Sequence, residues 1–207
     1  AVETPASPLA SPARSLEARK IPEELSLINP GTVPPSTGVI KEGQVDSRLL
    51  LELETAARNR REDGEAKNRY QSALSETIQF QLRQGNQAAA LETLQRFLAF
   101  DPGNLQASLI LASLYLRQGM YAQAENTLVP LEIRQKNSAE LHYLLGTAYY
   151  LQEKNDQAGR SLRRSLELQF NPEVEKILKK IENENRAENR FQQANSLHFV
   201  LRYEGTE

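Results

Sequence analysis

The sequence predicts an all-α protein, a short α-solenoid of about three helical hairpins with a C-terminal capping helix, a disordered N-terminal arm and a β-strand-like tail. Three observations carry that prediction. Residues recur at an interval of 34 through the middle of the chain. Apolar residues fall at steps of three and four wherever proline and glycine are sparse. Seven of the ten prolines lie before residue 44.

Proline removes a backbone donor and fixes φ, so at that density neither helix nor sheet propagates. Residues 1–43 therefore read as an arm with some polyproline II character, whose one apolar cluster is Ile21, Leu25, Leu27 and Ile28. Lead-in helices follow over 44–70. Asp46-Ser47 is an N-cap signal, and Leu49, Leu53, Ala56 and Ala57 follow at helical spacing. Gly64 marks either a turn or a weak point in one long helix. Tyr70, Leu74, Ile78 and Leu82 then form a stripe at steps of four.

Residues 71–172 divide into units 71–104, 105–138 and 139–172. Ala90, Ala124 and Ala158 stand 34 residues apart, as do Leu94, Leu128 and Leu162. Gly85 pairs with Gly119, Leu111 with Leu145, Tyr115 with Tyr149, and Ala112 with Gly146 at the same interval. In each unit a first helix carries a Leu, a small residue and a Tyr. The small residue admits the partner helix, and the second helix offers Ala and Leu at i and i+4 on its inner face.

These columns resemble the tetratricopeptide repeat family over about half of the chain, best in the unit from Leu105 to Lys136. The first unit departs from the pattern with Thr77-Ile78 and Gln81, and the third has Glu153 where glycine is usual. The resemblance implies a right-handed superhelix and a concave peptide-binding groove lined by the first helices. Carried over residue by residue, it puts Gln79, Leu82 and Arg83 on the groove wall, then Leu109, Ser113, Leu116 and Arg117, then Tyr143, Thr147, Tyr150 and Leu151. The Lys and Asn or Arg set with which family members grip a C-terminal carboxylate is missing, and Arg83 and Arg117 substitute only in part. The expected occupant is an amphipathic helix or an extended apolar segment of a protein or peptide partner. The alternative occupant is internal: the arm, or a downstream domain outside this sequence.

Val174, Ile177, Leu178 and Ile181 give the helical stripe of a cap over 173–190, which would cover the last apolar face of the stack. In the tail, 191–207, Leu197, Phe199, Leu201 and Tyr203 alternate, the period of a strand. That phrase resembles the entry into the peptidase MA-like (gluzincin) domain of bacterial repeat proteins. It implies that the chain is the non-catalytic front of a longer secreted or membrane-associated protein.

No catalytic, metal or cofactor site is expected. The chain has no cysteine and only two histidines, His142 and His198, which lack the spacing of a zinc helix. His142 is expected to pack against the adjoining hairpin. A net charge of -2 gives no electrostatic pull towards nucleic acid. The basic groups Arg58 to Arg61 and Arg160 to Arg164 read as solvated helix faces. No apolar run nears the roughly 18 residues of a membrane span. The proline-rich start beginning at Ala1 leans towards an exported bacterial protein.

Overall fold

The computed structural model describes residues 36–59 and 64–203, with side chains as far as Ala187. Its elements in chain order are β1 (Ile40–Lys41), β2 (Gln44–Val45), α1 (Ser47–Asn59), α2 (Gly64–Arg83), α3 (Gln87–Phe100), α4 (Leu105–Arg117), α5 (Tyr121–Glu132), α6 (Ala139–Leu151), α7 (Asn155–Leu168) and α8 (Pro172–Tyr203).

Local chemistry sets the helix ends. Side chains at four N-caps accept from the backbone three residues on: Asp46 from Leu49, Asn86 from Ala89, Asn104 from Ala107 and Ser138 from Leu141. Pro172 opens α8, where its missing N–H costs nothing. The first helices of the three hairpins end alike. Asn86 N–H donates to Gln81 O, Met120 N–H to Tyr115 O and Lys154 N–H to Tyr149 O. This closure needs a left-handed residue, supplied by Gly85 and Gly119 at φ 72 and 76 and by Glu153 at φ 63. The third hairpin thus keeps the same turn geometry with a glutamate, at some cost in strain.

Hairpins α2–α3, α4–α5 and α6–α7 stack in order, with α4 touching α6 directly. The first helices therefore lie side by side, and the second helices pack behind them. Ala90, Leu94, Ala124, Leu128, Ala158 and Leu162 are all fully buried. Polar contacts tie the helices together: Gln95 Nε2 donates to the Tyr115 hydroxyl of the next unit at 3.0 Å, and within the third hairpin Ser165 Oγ donates to Ala139 O at 2.8 Å. Lys154 pairs with Glu125 at 2.7 Å. Where Gln81 replaces the usual aromatic, it accepts a 2.9 Å hydrogen bond from Thr93, so a polar pair holds the first hairpin closed.

Before the stack, α1 packs on α2. Arg96 of α3 reaches Glu54 of α1 at 2.6 Å. Burial disfavours the Glu54 anion, but hydrogen bonds from Arg96 and Arg58 outweigh it and hold the carboxyl below its ordinary 4.5. α2 passes through residue 70 without a break, and the Tyr70 ring meets Phe100 edge-on at 5.0 Å. Residues 60–63, between Asn59 and Gly64, lie outside the described residues.

Two expectations are corrected. The arm was expected to run to residue 43, but residues 36–45 are folded, and Ile40 and Lys41 pair with Val45 and Gln44 in an antiparallel hairpin. Glu42 and Gly43 turn it at φ 49 and 72, the paired left-handed conformation of a two-residue hairpin loop. Val39 is buried, and Thr37 is bound to Glu76 of α2. Residues 1–35 lie outside the described residues. The second correction concerns the tail. α8 continues to Tyr203, so the expected cap and the expected strand are one helix. Leu197, Val200 and Leu201 also stand at i, i+3 and i+4, and an isolated strand has no ladder to complete.

Candidate partner-binding groove

Successive units present matching columns on the faces of α2, α4 and α6. Ser75, Leu109 and Tyr143 form one column, Gln79, Ser113 and Thr147 a second, and Leu82, Leu116 and Tyr150 a third. Arg83, Arg117 and Leu151 close the set at the helix ends. All the groove residues expected from the sequence lie on these three helices.

They differ sharply in access. Arg83 and Arg117 are exposed, and Leu82 and Tyr143 are half-buried. Leu109, Leu116 and Tyr150 are only 1%, 0% and 4% exposed. The expected open apolar patch is therefore closed along its centre. The reason is packing density: α4 is buried over every residue from Ala107 to Leu116, and α6 buries ten of its thirteen. Ser113 and Thr147 spend their hydroxyls on the carbonyls of Ile110 and Tyr143, at 2.7 and 2.9 Å, which leaves this wall few free donors. The Tyr150 ring lies 5.8 Å from the Lys180 ammonium of α8.

Sequence reasoning passed over the start of each first helix. Gln106 and Glu140 share a column, and burial pushes the Glu140 carboxyl above its ordinary 4.5. Gln106 also lines a notch of about 150 Å³ between α2 and α4, with Ser75, Ile78, Gln79 and Ile110 around it. The 34-residue register was the available signal for both positions.

The opposite side carries a second cavity, of about 350 Å³, lined by Glu132, His142, Tyr149, Arg160 and Arg164. His142 is buried, and its Nε2 lies 3.0 Å from Lys136 O, to which Nε2–H donates. Nδ1 is itself occluded, so the ring is packed as expected and offers no open ligand. Arg163 and Arg164 are paired with Glu182 and Glu167. Among the described residues, no group of three His, Asp or Glu could hold a metal ion, and no helix is long and apolar enough to cross a membrane.

Residues 81–145, from the end of α2 into α6, match the tetratricopeptide repeat model. The stacked hairpins have the tetratricopeptide repeat architecture. No curated protein matches the sequence of the chain. Among solved structures, the first tetratricopeptide domain of human RPAP3 is 23% identical with a TM-score of 0.52, covering 58% of this chain and 95% of its own. MamA from residue 41 onward, from Desulfovibrio magneticus RS-1, is 15% identical at TM-score 0.53, covering 77% and 97%. A double mutant of MamA RS-1 covers 91% and 100%, at 15% identity and TM-score 0.54. At these identities the likeness is one of fold. Tetratricopeptide arrays commonly serve as protein-interaction scaffolds, and this chain shares their architecture.

Proposed function

We propose that the concave face of α2, α4 and α6 binds a protein segment with aliphatic side chains flanked by acidic residues. The observation that carries this reading is the exposure of Arg83 and Arg117 at equivalent ends of α2 and α4, neither of them ion-paired among the described residues. They stand beside an apolar wall that includes the half-buried Leu82 and Tyr143. Hydrophobic contacts at the centre would supply affinity, and the rim arginines would set register and orientation. A helix or extended strand of a partner matches this layout.

The test avoids buried residues, because truncating Tyr150 would report on folding. Peptides selected from a random displayed library on the full chain are expected to be rich in Leu and Ile next to Asp or Glu. Their affinity should fall at least about tenfold, or ~1.4 kcal/mol, on Arg83→Glu/Arg117→Glu. Circular dichroism should be unchanged. Arg134→Glu, beyond α5, serves as the control. Equal binding to the groove variant and the control would refute the reading. The alternative, a non-catalytic front of a metallopeptidase-like protein, drew on a strand where α8 is helical, and no observation here favours it.

A further inference from the structure

We infer that the cavity between α5, α6 and α7 is a binding site for a small free carboxylate, held by the Arg160 guanidinium and the hydroxyls of Ser161 and Tyr149. It lies away from the concave face and does not depend on the groove reading above. Three features lead to it.

The first is unspent hydrogen-bonding capacity. Ser161 and Tyr149 line the cavity and are only 6% and 8% exposed. Neither hydroxyl makes a hydrogen bond among the described residues, although groups buried this deeply are ordinarily paired, since a bond left unmade costs their desolvation. Arg160 lines the same space and makes no ion pair among the described residues, whereas Arg164 is held by Glu167 at 3.0 Å. Arg160 also acts on the Tyr149 hydroxyl. Burial pushes that hydroxyl above its ordinary 10.0, Glu125 and Glu132 add to the rise, and Arg160 opposes it.

The second is the repeat, which supplies an internal control. At the junction 34 residues earlier, Asn126, Thr127 and Pro130 stand where Arg160, Ser161 and Arg164 line the cavity. There the hydroxyls are spent. Tyr115 accepts from Gln95 Nε2 at 3.0 Å, and Thr127 Oγ1 donates to Gln123 O at 2.8 Å. The counterpart of Gln95 is Val129, which has no donor to offer Tyr149. The later junction has thus lost an internal partner and gained two guanidinium groups.

The third is size and charge. At about 350 Å³ the space falls within the range of small-molecule pockets, roughly 300–1,000 Å³, and exceeds what one acidic side chain fills. A guanidinium presents a fork of N–H donors that matches the two oxygens of a carboxylate, and the two hydroxyls add further donors. Glu132 on the same lining opposes a second negative charge, so a monoanion fits better than a phosphate dianion. His142 Nδ1 is occluded and takes no part.

A carboxylate seated there bridges Tyr149 of α6 to Arg160 and Ser161 of α7, so its binding stabilises the third hairpin by mass action.

The probe is lactate, titrated into the isotope-labelled full chain at constant ionic strength. Saturable shifts are expected at the amides of Tyr149 and Ser161 and at the Arg160 Nε–H, with Arg83 and Arg117 unmoved. Arg160→Gln should weaken binding at least about tenfold by removing the charge-assisted pair. Val129→Gln imports the side chain that closes the preceding junction, and should abolish binding with the thermal midpoint unchanged or raised. Val129 is 40% exposed, so this change leaves the core alone. The absence of saturable shifts would overturn the inference, as would shifts that both variants leave intact. Tighter binding of inorganic phosphate would reject the carboxylate. Tighter binding of acetyl-Gly-Glu-Gly-amide would reject a free ligand in favour of a partner's side chain.

Discussion

Leu162→Ala is expected to destabilise the protein by ~2–5 kcal/mol, the range for a leucine lost from a core that cannot collapse around the gap. Leu162 is fully buried on α7 and packs into the space above Gly146 on α6. Each kcal/mol moves the midpoint by about 2–4 °C in a chain of this size, so thermal unfolding followed by circular dichroism will show it. In a stack each hairpin touches only its neighbours. The loss should therefore concentrate in α6, α7 and α8, with hydrogen exchange speeding up there before α2 and α3. Uniform loosening of the whole chain would contradict a hairpin-by-hairpin stack.

Gly146→Ala provides the reciprocal test. In an open helix this change should stabilise by about 1 kcal/mol, because alanine is the better helix former. Here the added methyl would sit 2.6 Å from Leu162 Cγ, 2.7 Å from its Cδ2 and 3.2 Å from its backbone N. Neither α7 nor the leucine branch point can yield cheaply, so overpacking should dominate, with a net loss of about 1–3 kcal/mol. The corresponding position in the preceding unit is Ala112, which is fully buried and already accommodates a methyl. An unchanged or raised midpoint for Gly146→Ala would mean that α6 and α7 sit farther apart than this structure places them.

The repeat architecture was legible because stacking puts every unit in the same surroundings, so the same columns recur. Ala90 with Leu94, Ala124 with Leu128 and Ala158 with Leu162 all became buried inner faces. The small hairpin at Ile40–Val45 was not legible, because strands of two residues are too short to show alternation. Its only trace was Glu42-Gly43, a weak turn signal set among prolines and polar residues. The tail misled for the opposite reason. Leu197, Phe199, Leu201 and Tyr203 satisfy a period of two, while Leu197, Val200 and Leu201 satisfy a helix. In the groove, periodicity identified the face on which Leu109, Leu116 and Tyr150 lie. How deeply that face is covered depends on contacts between distant parts of the chain, which no local pattern records.

The central claim is that partners meet this scaffold on its concave face. A photo-activated cross-linking residue placed at Arg117, on the rim of the groove, tests it most directly. Ile133, which is 88% exposed just beyond α5, serves as the reference position. Irradiating cells that produce the protein is predicted to give a discrete adduct from position 117 and none from position 133. Adducts from position 133 alone would contradict the account and move the working surface to the second helices.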